Sequence, residues 1–358
     1  MSVSDDMSKR IKWMALKWGR TLLHISLISL WCCEEPHADI QISPQKEYKV
    51  ASFRGVYTNG RIQITGIDTR ISFTVVDSLV ISDSTLSWSP NGVEIVFASN
   101  YQICVSNFFA SVPITLTEGP YHHAFPVFSP NAVTIAFQSD RTGKNEIYTV
   151  NSNGMNLKRL TTSIFGAQLP AWSPNGYKIA YMGDGGIHIV NSDGSDDRQL
   201  TDHAEDYKPV WSPRGGRLLF VSRRDGNTEV YVMNEDGTGQ KNLTLNSSSD
   251  DSPSWSPDGI EIAFVSERNQ EFNVDGSVKE RRREIYVMNS DGSTLRRLTT
   301  DAYVFAVGWS PEASMIIYDE RSPIYGGLYL ISAFGGRSIP FVGGYSPAWS
   351  PEPLAVNK

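Results

Sequence analysis

The chain has 358 residues, with 32 Lys and Arg against 39 Asp and Glu, for a formal net charge of −7. A nucleic-acid surface carries clustered positive charge, so this balance argues against nucleic acid as a partner. The three cysteines (Cys32, Cys33, Cys104) lack a metal-type spacing, which argues against a structural zinc site.

In chain order, residues 1–33 stand apart. Lys9, Arg10, Lys12, Lys17 and Arg20 form a basic lead, and an apolar stretch runs from Thr21 to Trp31. That stretch is too short to span a bilayer but fits a signal-peptide core. Cys32-Cys33 followed by Glu34-Glu35 resembles a bacterial lipoprotein processing site. Cys33, with Leu30 three residues before it, and Cys32 are the lipidation candidates. The expectation is an exported protein, periplasmic or held at the membrane by a lipid anchor. The plainer reading is an uncleaved anchor or a start at Met7 or Met14. Residues 34–47, with Pro36 and Pro44, read as a polar tether, and residues 48–358 as one domain.

An aromatic-Ser-Pro triplet then recurs seven times, beginning at Trp88, Phe128, Trp172, Trp211, Trp255, Trp309 and Trp349. The intervals are 40, 44, 39, 44, 54 and 40 residues. A period of this size marks an array of small repeated units. The unit from Trp211 continues with the runs Leu218–Val221 and Val230–Met233, divided by polar turns and closed by Asn234-Glu235-Asp236-Gly237. Short Val-, Ile-, Tyr- and Phe-rich runs between Asp-Gly or Asn-Gly turns predict antiparallel strands joined by hairpins. With the segment entering the triplet, each unit has four strands. The fold class is therefore all-β, a β-propeller of four-stranded blades. The triplet aromatic is expected to pack between neighbouring sheets, and the proline to end the strand. Cys104, within Ile103-Cys104-Val105, is expected as a small buried hydrophobe.

The last triplet is followed by only seven residues, so its unit lacks three strands. Segments 49–53, 61–64 and 75–76 align with strands two to four of the Phe128 unit. The N-terminal strands are thus expected to complete the C-terminal blade, giving a closed ring of seven blades, with six as the alternative. A solenoid of stacked β-units is the competing architecture.

Strand order puts the inter-blade loops and the loops between strands two and three on one face. Before each first strand stand Tyr121, His122 and His123; Gln168; Asp206 and Tyr207; Asp250 and Asp251; Tyr303 and Phe305; and Tyr345. These varied side chains would ring the channel mouth and form a candidate binding surface, or fill gaps between blades. The loop 266–283 is about ten residues longer than its counterparts and ends in Arg281-Arg282-Arg283, a candidate contact for an acidic partner or lipid headgroup. Arg141, Arg224 and Arg268 are expected to pair with Glu146, Glu229 and Glu284 across their hairpins. On the opposite face, the Asp and Asn of the SPDG and NxDG turns are expected to bond their own backbone rather than calcium.

Trp255–Phe264, Glu284–Gly292 and Arg297–Thr299 together resemble the WD40-like (PD40) repeat of the TolB propeller family. TolB is a periplasmic component of an envelope-spanning system and carries an α/β domain before its propeller, where this chain has only a short leader. The same repeat occurs in prolyl oligopeptidase-type enzymes and oligogalacturonate lyases. The resemblance therefore implies the ring and leaves the activity open.

No G-x-S-x-G elbow is present, which argues against a serine hydrolase. His122 and His123 lie two blades from His203, a poor set for one metal. The expectation is a non-catalytic, monomeric binding module without cofactor or metal, whose partner is an envelope protein, a peptide segment or a glycan. The alternative is a metal-dependent carbohydrate-active propeller of the oligogalacturonate-lyase type.

Overall fold

The computed structural model describes residues 46–56, 59–107, 112–272, 275, 278–280, 282–321, 326–351 and 354–355, all within one unit, Pro44–Lys358. The leader and its cysteines, most of the tether, and Arg281 lie outside the described residues. Seven four-stranded antiparallel sheets form a β-propeller, and no α-helix occurs among the described residues.

Each blade follows the repeat. Blade one comprises Ile81–Trp88, Glu94–Ser99, Gln102–Asn107 and Ile114–Thr115. Blade two is His123–Phe128, Thr134–Ser139, Glu146–Asn151 and Lys158–Arg159, and blade three Gln168–Trp172, Lys178–Gly183, Gly186–Asn191 and Arg198–Gln199. Blade four is Tyr207–Trp211, Arg217–Ser222, Glu229–Asn234 and Lys241–Asn242, and blade five Asp250–Trp255, Glu261–Ser266, Glu284–Asn289 and Arg296–Arg297. Blade six is Val304–Trp309, Met315–Glu320, Gly327–Ser332 and Ile339–Val342. In blade seven the C-terminal strand Tyr345–Trp349 pairs with Lys49–Val56, followed by Asn59–Gly66 and Ser72–Leu79.

That last pairing settles seven blades over six and a ring over a solenoid. The Lys49 amide donates to Ser350 Oγ at 3.0 Å, and the Ser350 amide to the Lys49 carbonyl at 2.8 Å. Lys46–Glu47 also pairs with Leu354–Ala355, so the residues at the end of the expected tether lie against the last strand. Closure leaves no unpaired inner edge for another chain to extend.

The core lies between blades, because middle strands are apolar on both sides. Ile262, Ala263, Phe264 and Val265 are all buried, as are Leu218 to Val221. Cys104 is buried in the cluster that includes Phe53, Ile62 and Trp88, and burial pushes its thiol up. The triplet aromatics fasten neighbouring blades. Each tryptophan indole donates to the carbonyl just before the preceding blade's triplet aromatic: Trp88 to Ala348 (2.9 Å), Trp172 to Val127 (3.2 Å), Trp211 to Ala171 (3.1 Å), Trp255 to Val210 (3.2 Å), Trp309 to Ser254 (3.1 Å) and Trp349 to Gly308 (3.1 Å). Phe128 has no such donor, so the interface between blades one and two lacks this link. An indole therefore brings both apolar area and a polar handle to its interface.

Candidate functional site

The two faces use their polar residues differently. On one, the Asp and Asn residues of the repeated turns bond within their own turns. Ser256 Oγ donates to Asp258 Oδ1 (2.6 Å) and accepts from the Glu261 amide (2.9 Å), and Asn91, Asn131 and Asn175 repeat this with Ser89, Ser129 and Ser173. Asp193, Asp236 and Asp291 accept from the amides of Ser195, Thr238 and Ser293 at 2.9, 2.9 and 2.8 Å. The Ser195, Thr238 and Ser293 hydroxyls, and then these amides, hold the carboxyls below the usual range.

On the other face, inter-blade segments hydrogen-bond to the hairpins between strands two and three. Examples are the Ala167 amide to the Asn145 carbonyl (2.8 Å), Glu267 to Ser249 (2.9 Å) and Arg283 to Ala302 (3.0 Å). The first strands are neighbours around the axis. Five of them carry a bulge with a left-handed residue: Phe125, Leu169, Lys208, Ser252 and Ser346, at φ 54°, 55°, 58°, 54° and 51°. Such conformations are costly for residues other than glycine. Three of the turned amides are accepted by the preceding blade: Phe125 by Asp83 Oδ2 (2.9 Å), Leu169 by Gln138 Oε1 (3.3 Å) and Ser346 by Asp319 Oδ2 (3.4 Å). Gln168, just before one bulge, sits opposite Met182 and is half-buried.

The expected rim residues separate into two groups. Around blades four to seven, the Phe305 ring has the Arg283 guanidinium 5.3 Å away and the Arg321 guanidinium 4.4 Å away. Tyr303 meets Phe305 edge-on at 5.2 Å, and Arg321 also lies 5.8 Å from the Tyr345 ring, itself stacked on Phe53 at 5.9 Å. Acids interleave with these cations. Asp251 lies 3.5 Å from Lys208 and 4.0 Å from Arg283, and buried Asp319 holds Arg321 at 2.8 Å. Arg223 reaches the Tyr207 ring at 6.0 Å; burial, then the Asp251 charge, push the Tyr207 phenol up. A cavity of about 320 Å³ between blades six and seven is lined by Asp319, Glu320, Arg321 and Tyr345. Lys208, Asp319 and Arg321 escape sequence reading because they sit inside strands or at a strand end, where nothing in the repeat marks them.

The long loop of blade five is held in place. It forms a small hairpin, Glu271–Phe272 with Val278–Glu280. Arg282 pairs with Glu271 (3.2 Å) and Asp301 (3.1 Å). Arg283 is 3.9 Å from Glu267, and its carbonyl accepts the Val304 amide at 2.9 Å. These two arginines thus anchor the hairpin to the mouth.

Asp206 and Asp250 are fully buried and bind arginines of their own blades. Asp206 pairs with Arg224, and Asp250 with Arg268 at 3.1 Å. The expected partners for those arginines were Glu229 and Glu284, and the structure corrects this. Glu229 accepts from Thr244 and Asn246, while Glu284 pairs with Arg297. Strands one and three flank strand two, so a residue leaving strand two can reach either neighbour; the buried aspartates stand nearer the guanidinium. Glu146 likewise accepts from Thr161 and Ser163 rather than Arg141.

The second group lies between blades one and two. His122 stacks on Tyr101 at 4.2 Å, and its amide donates to Asp140 Oδ1 at 2.8 Å. Tyr101 occupies the second left-handed position of the Asn100-Tyr101 hairpin (φ 61°), a place that favours glycine. That departure is the signal sequence reading missed. His123 is fully buried and edge-on to Phe137 at 5.5 Å; Tyr121 lies 6.3 Å away. Burial, reinforced by the Arg141 charge, pulls the His123 imidazole down to about 4, so it is neutral at pH 7. Tyr101, His122, His123, Asp140 and Lys144 line a cavity of about 340 Å³. Among the described residues, no group of three or more His, Cys, Asp or Glu is placed to hold a metal.

Comparison with known proteins agrees with this architecture. The model of the TolB beta propeller domain (PD40) matches residues 41–215 and 170–353. A protein TolB homolog of Chlorobium luteolum is 30% identical over 158 residues, covering 42% of this chain and 36% of that protein. The chain spans well under two thirds of the curated relatives it matches. Among solved structures, TolB from Acinetobacter baumannii superposes with a TM-score of 0.51 at 18% identity, covering 84% of this chain and 82% of that one. An oligogalacturonate lyase in complex with manganese superposes at 0.60 with 12% identity, over 84% and 86%. At such identities the structural likenesses speak for the fold alone. On the family match and the seven closed blades, this chain belongs to the TolB β-propeller (PD40) family.

Proposed function

We propose that this chain is a non-catalytic, exported binding module of TolB type that holds a protein or peptide segment at the channel mouth between blades four and seven. The carrying observation is the asymmetry of the two faces. One ties its turn Asp and Asn residues into their own turns, whereas the other gathers Arg283, Arg321, Lys208, Phe305 and Tyr345 around strained first strands. Aromatic and arginine side chains clustered in a depression are the usual anchors of a protein interface. TolB homologs among the relatives favour a protein partner over a glycan. Residues 1–33 serve as the export signal, residues 34–47 as the tether, and Cys33 or Cys32 as the lipidation site.

The test is partner capture by the full chain from cell-envelope extract, followed by the same capture with variants. Phe305→Ala with Arg321→Ala should lose the partner, and Asp236→Ala on the opposite face should retain it. Equal capture by both, or loss only with Asp236→Ala, would overturn the assignment. Export is read by labelling with radioactive palmitate together with the mass of the mature chain; an unlabelled chain that keeps its leader refutes it.

A further inference from the structure

Three blades carry an arginine at the same place after strand two: Arg141, Arg224 and Arg268. In all three, the arginine amide donates to the serine two residues before it, at 3.3, 3.2 and 3.2 Å. In blades four and five the guanidinium then meets a fully buried aspartate, Asp206 or Asp250. It also lies over a Phe-Tyr pair, Phe220 with Tyr231 or Phe264 with Tyr286.

Blade two keeps the arginine and the Phe137-Tyr148 pair but not the aspartate. His123 pairs with Ser139 as Asp250 pairs with Ser266, so His123 occupies the aspartate's position. Its ring packs edge-on against Phe137, and Arg141 lies over Tyr148 and Tyr121 instead, 5.4 Å from each. Two groups are left unsatisfied. Arg141 Nε is buried without a hydrogen-bond partner, and Arg141 makes no ion pair among the described residues. The His123 ring nitrogens make no hydrogen bond of normal geometry, although the Glu118 backbone acts on the imidazole. Groups left in this way are costly unless something else completes them.

We propose that blade two binds a carboxylate from a ligand, which reaches Arg141 and His123 through the adjoining cavity and takes the part played by Asp206 and Asp250 in blades four and five. The neighbouring charges permit an anion. Lys144 lies in the cavity wall with its ammonium on the Ser163 and Ile164 carbonyls, and the Asp140 carboxylate accepts from the His122 amide. Arg141 and Lys144 stand against Asp140, while the nearby Glu146 carboxylate is already taken up by Thr161 and Ser163. The exposed Tyr101–His122 stack offers an apolar wall for the rest of the ligand. The site is separate from the mouth between blades four and seven, so the two proposals fail independently.

Two sources supply such a group, a peptide C-terminus and a sugar acid. Calorimetric titration of the full chain at constant ionic strength with Gly-Gly-Gly against its C-terminal amide, and with glucuronate against glucose, separates them. The charged member of at least one pair should bind, and its uncharged analogue should not. Arg141→Gln should weaken that binding roughly tenfold or more, because a charged hydrogen-bond donor is lost. His123→Asp should abolish it while raising the melting temperature, since it rebuilds the internal pair of blades four and five. Binding that survives His123→Asp, equal binding of charged and uncharged analogues, or no binding by any of the four would overturn the proposal.

Discussion

At the scale of the residue, His123 shows how one substitution within a repeat changes its chemistry. An aspartate there completes an arginine; a histidine leaves both groups unsatisfied and is itself held neutral by burial. Its imidazole titrates near 4 when folded, against 6.5 as a free group. The unfolded chain therefore binds more protons between those values, and stability falls as pH drops through the window from 6.5 towards 4. The loss is at most roughly 3–4 kcal/mol for this group. His123→Phe keeps the packing on Phe137 and should flatten that part of the stability curve, as read by denaturant unfolding at pH 7 and pH 4.5; an unchanged slope would show that His123 is not the titrating group. The His122-His123 pair was visible in the chain. Its neighbour Tyr101 was not, because a hairpin of only two residues has to be recognised before a tyrosine in it looks out of place.

At the scale of the element, the blade is built from one repeated device. In blades one, two, three and five the triplet serine closes the turn between strands one and two by donating to the Asn or Asp two residues on and accepting an amide five residues on. In blade five that serine is Ser256, almost fully buried. Ser256→Ala would leave the Glu261 amide without its acceptor, and should cost about 1–3 kcal/mol, measured as a shift in the denaturant midpoint with unchanged slope. The strands, their order and this turn could all be read from the spacing of apolar runs and Asp-Gly signals. The pairing of Arg224 and Arg268 could not, since hairpin arithmetic names Glu229 and Glu284 while the buried aspartates come from the strand on the other side.

At the scale of the molecule, the ring is closed by one short strand. Tyr345–Trp349 supplies the inner strand of blade seven, and its indole and serine make the same bonds as those inside the chain. Removing residues 345–358 would uncover the Val50, Phe53 and Ile317 side of two blades, all fully buried. Burial of a large aliphatic or aromatic side chain is worth about 1.5–3 kcal/mol, so the loss of several approaches the whole stability of a domain. The truncated chain should lose its cooperative thermal transition by circular dichroism; a transition kept within a few degrees would show that the remaining blades do not depend on closure.

The sequence by itself determined the four-stranded repeat and its strands and pointed to seven blades joined through the termini, because a repeat constrains every copy by the same short-range pattern. The pairing of Tyr345–Trp349 with Lys49–Val56 settled seven over six. It also marked which face varies. Tertiary structure alone decided what the varied residues do. Asp206 and Asp250 became buried partners of arginine, Arg282 and Arg283 became anchors of a hairpin, and Phe305 came to lie between guanidiniums contributed by two blades. The physical reason is distance along the chain: turns and strands are set by neighbours a few residues apart, whereas the mouth is assembled from residues a whole blade or more apart, and their contacts exist only once the ring has closed.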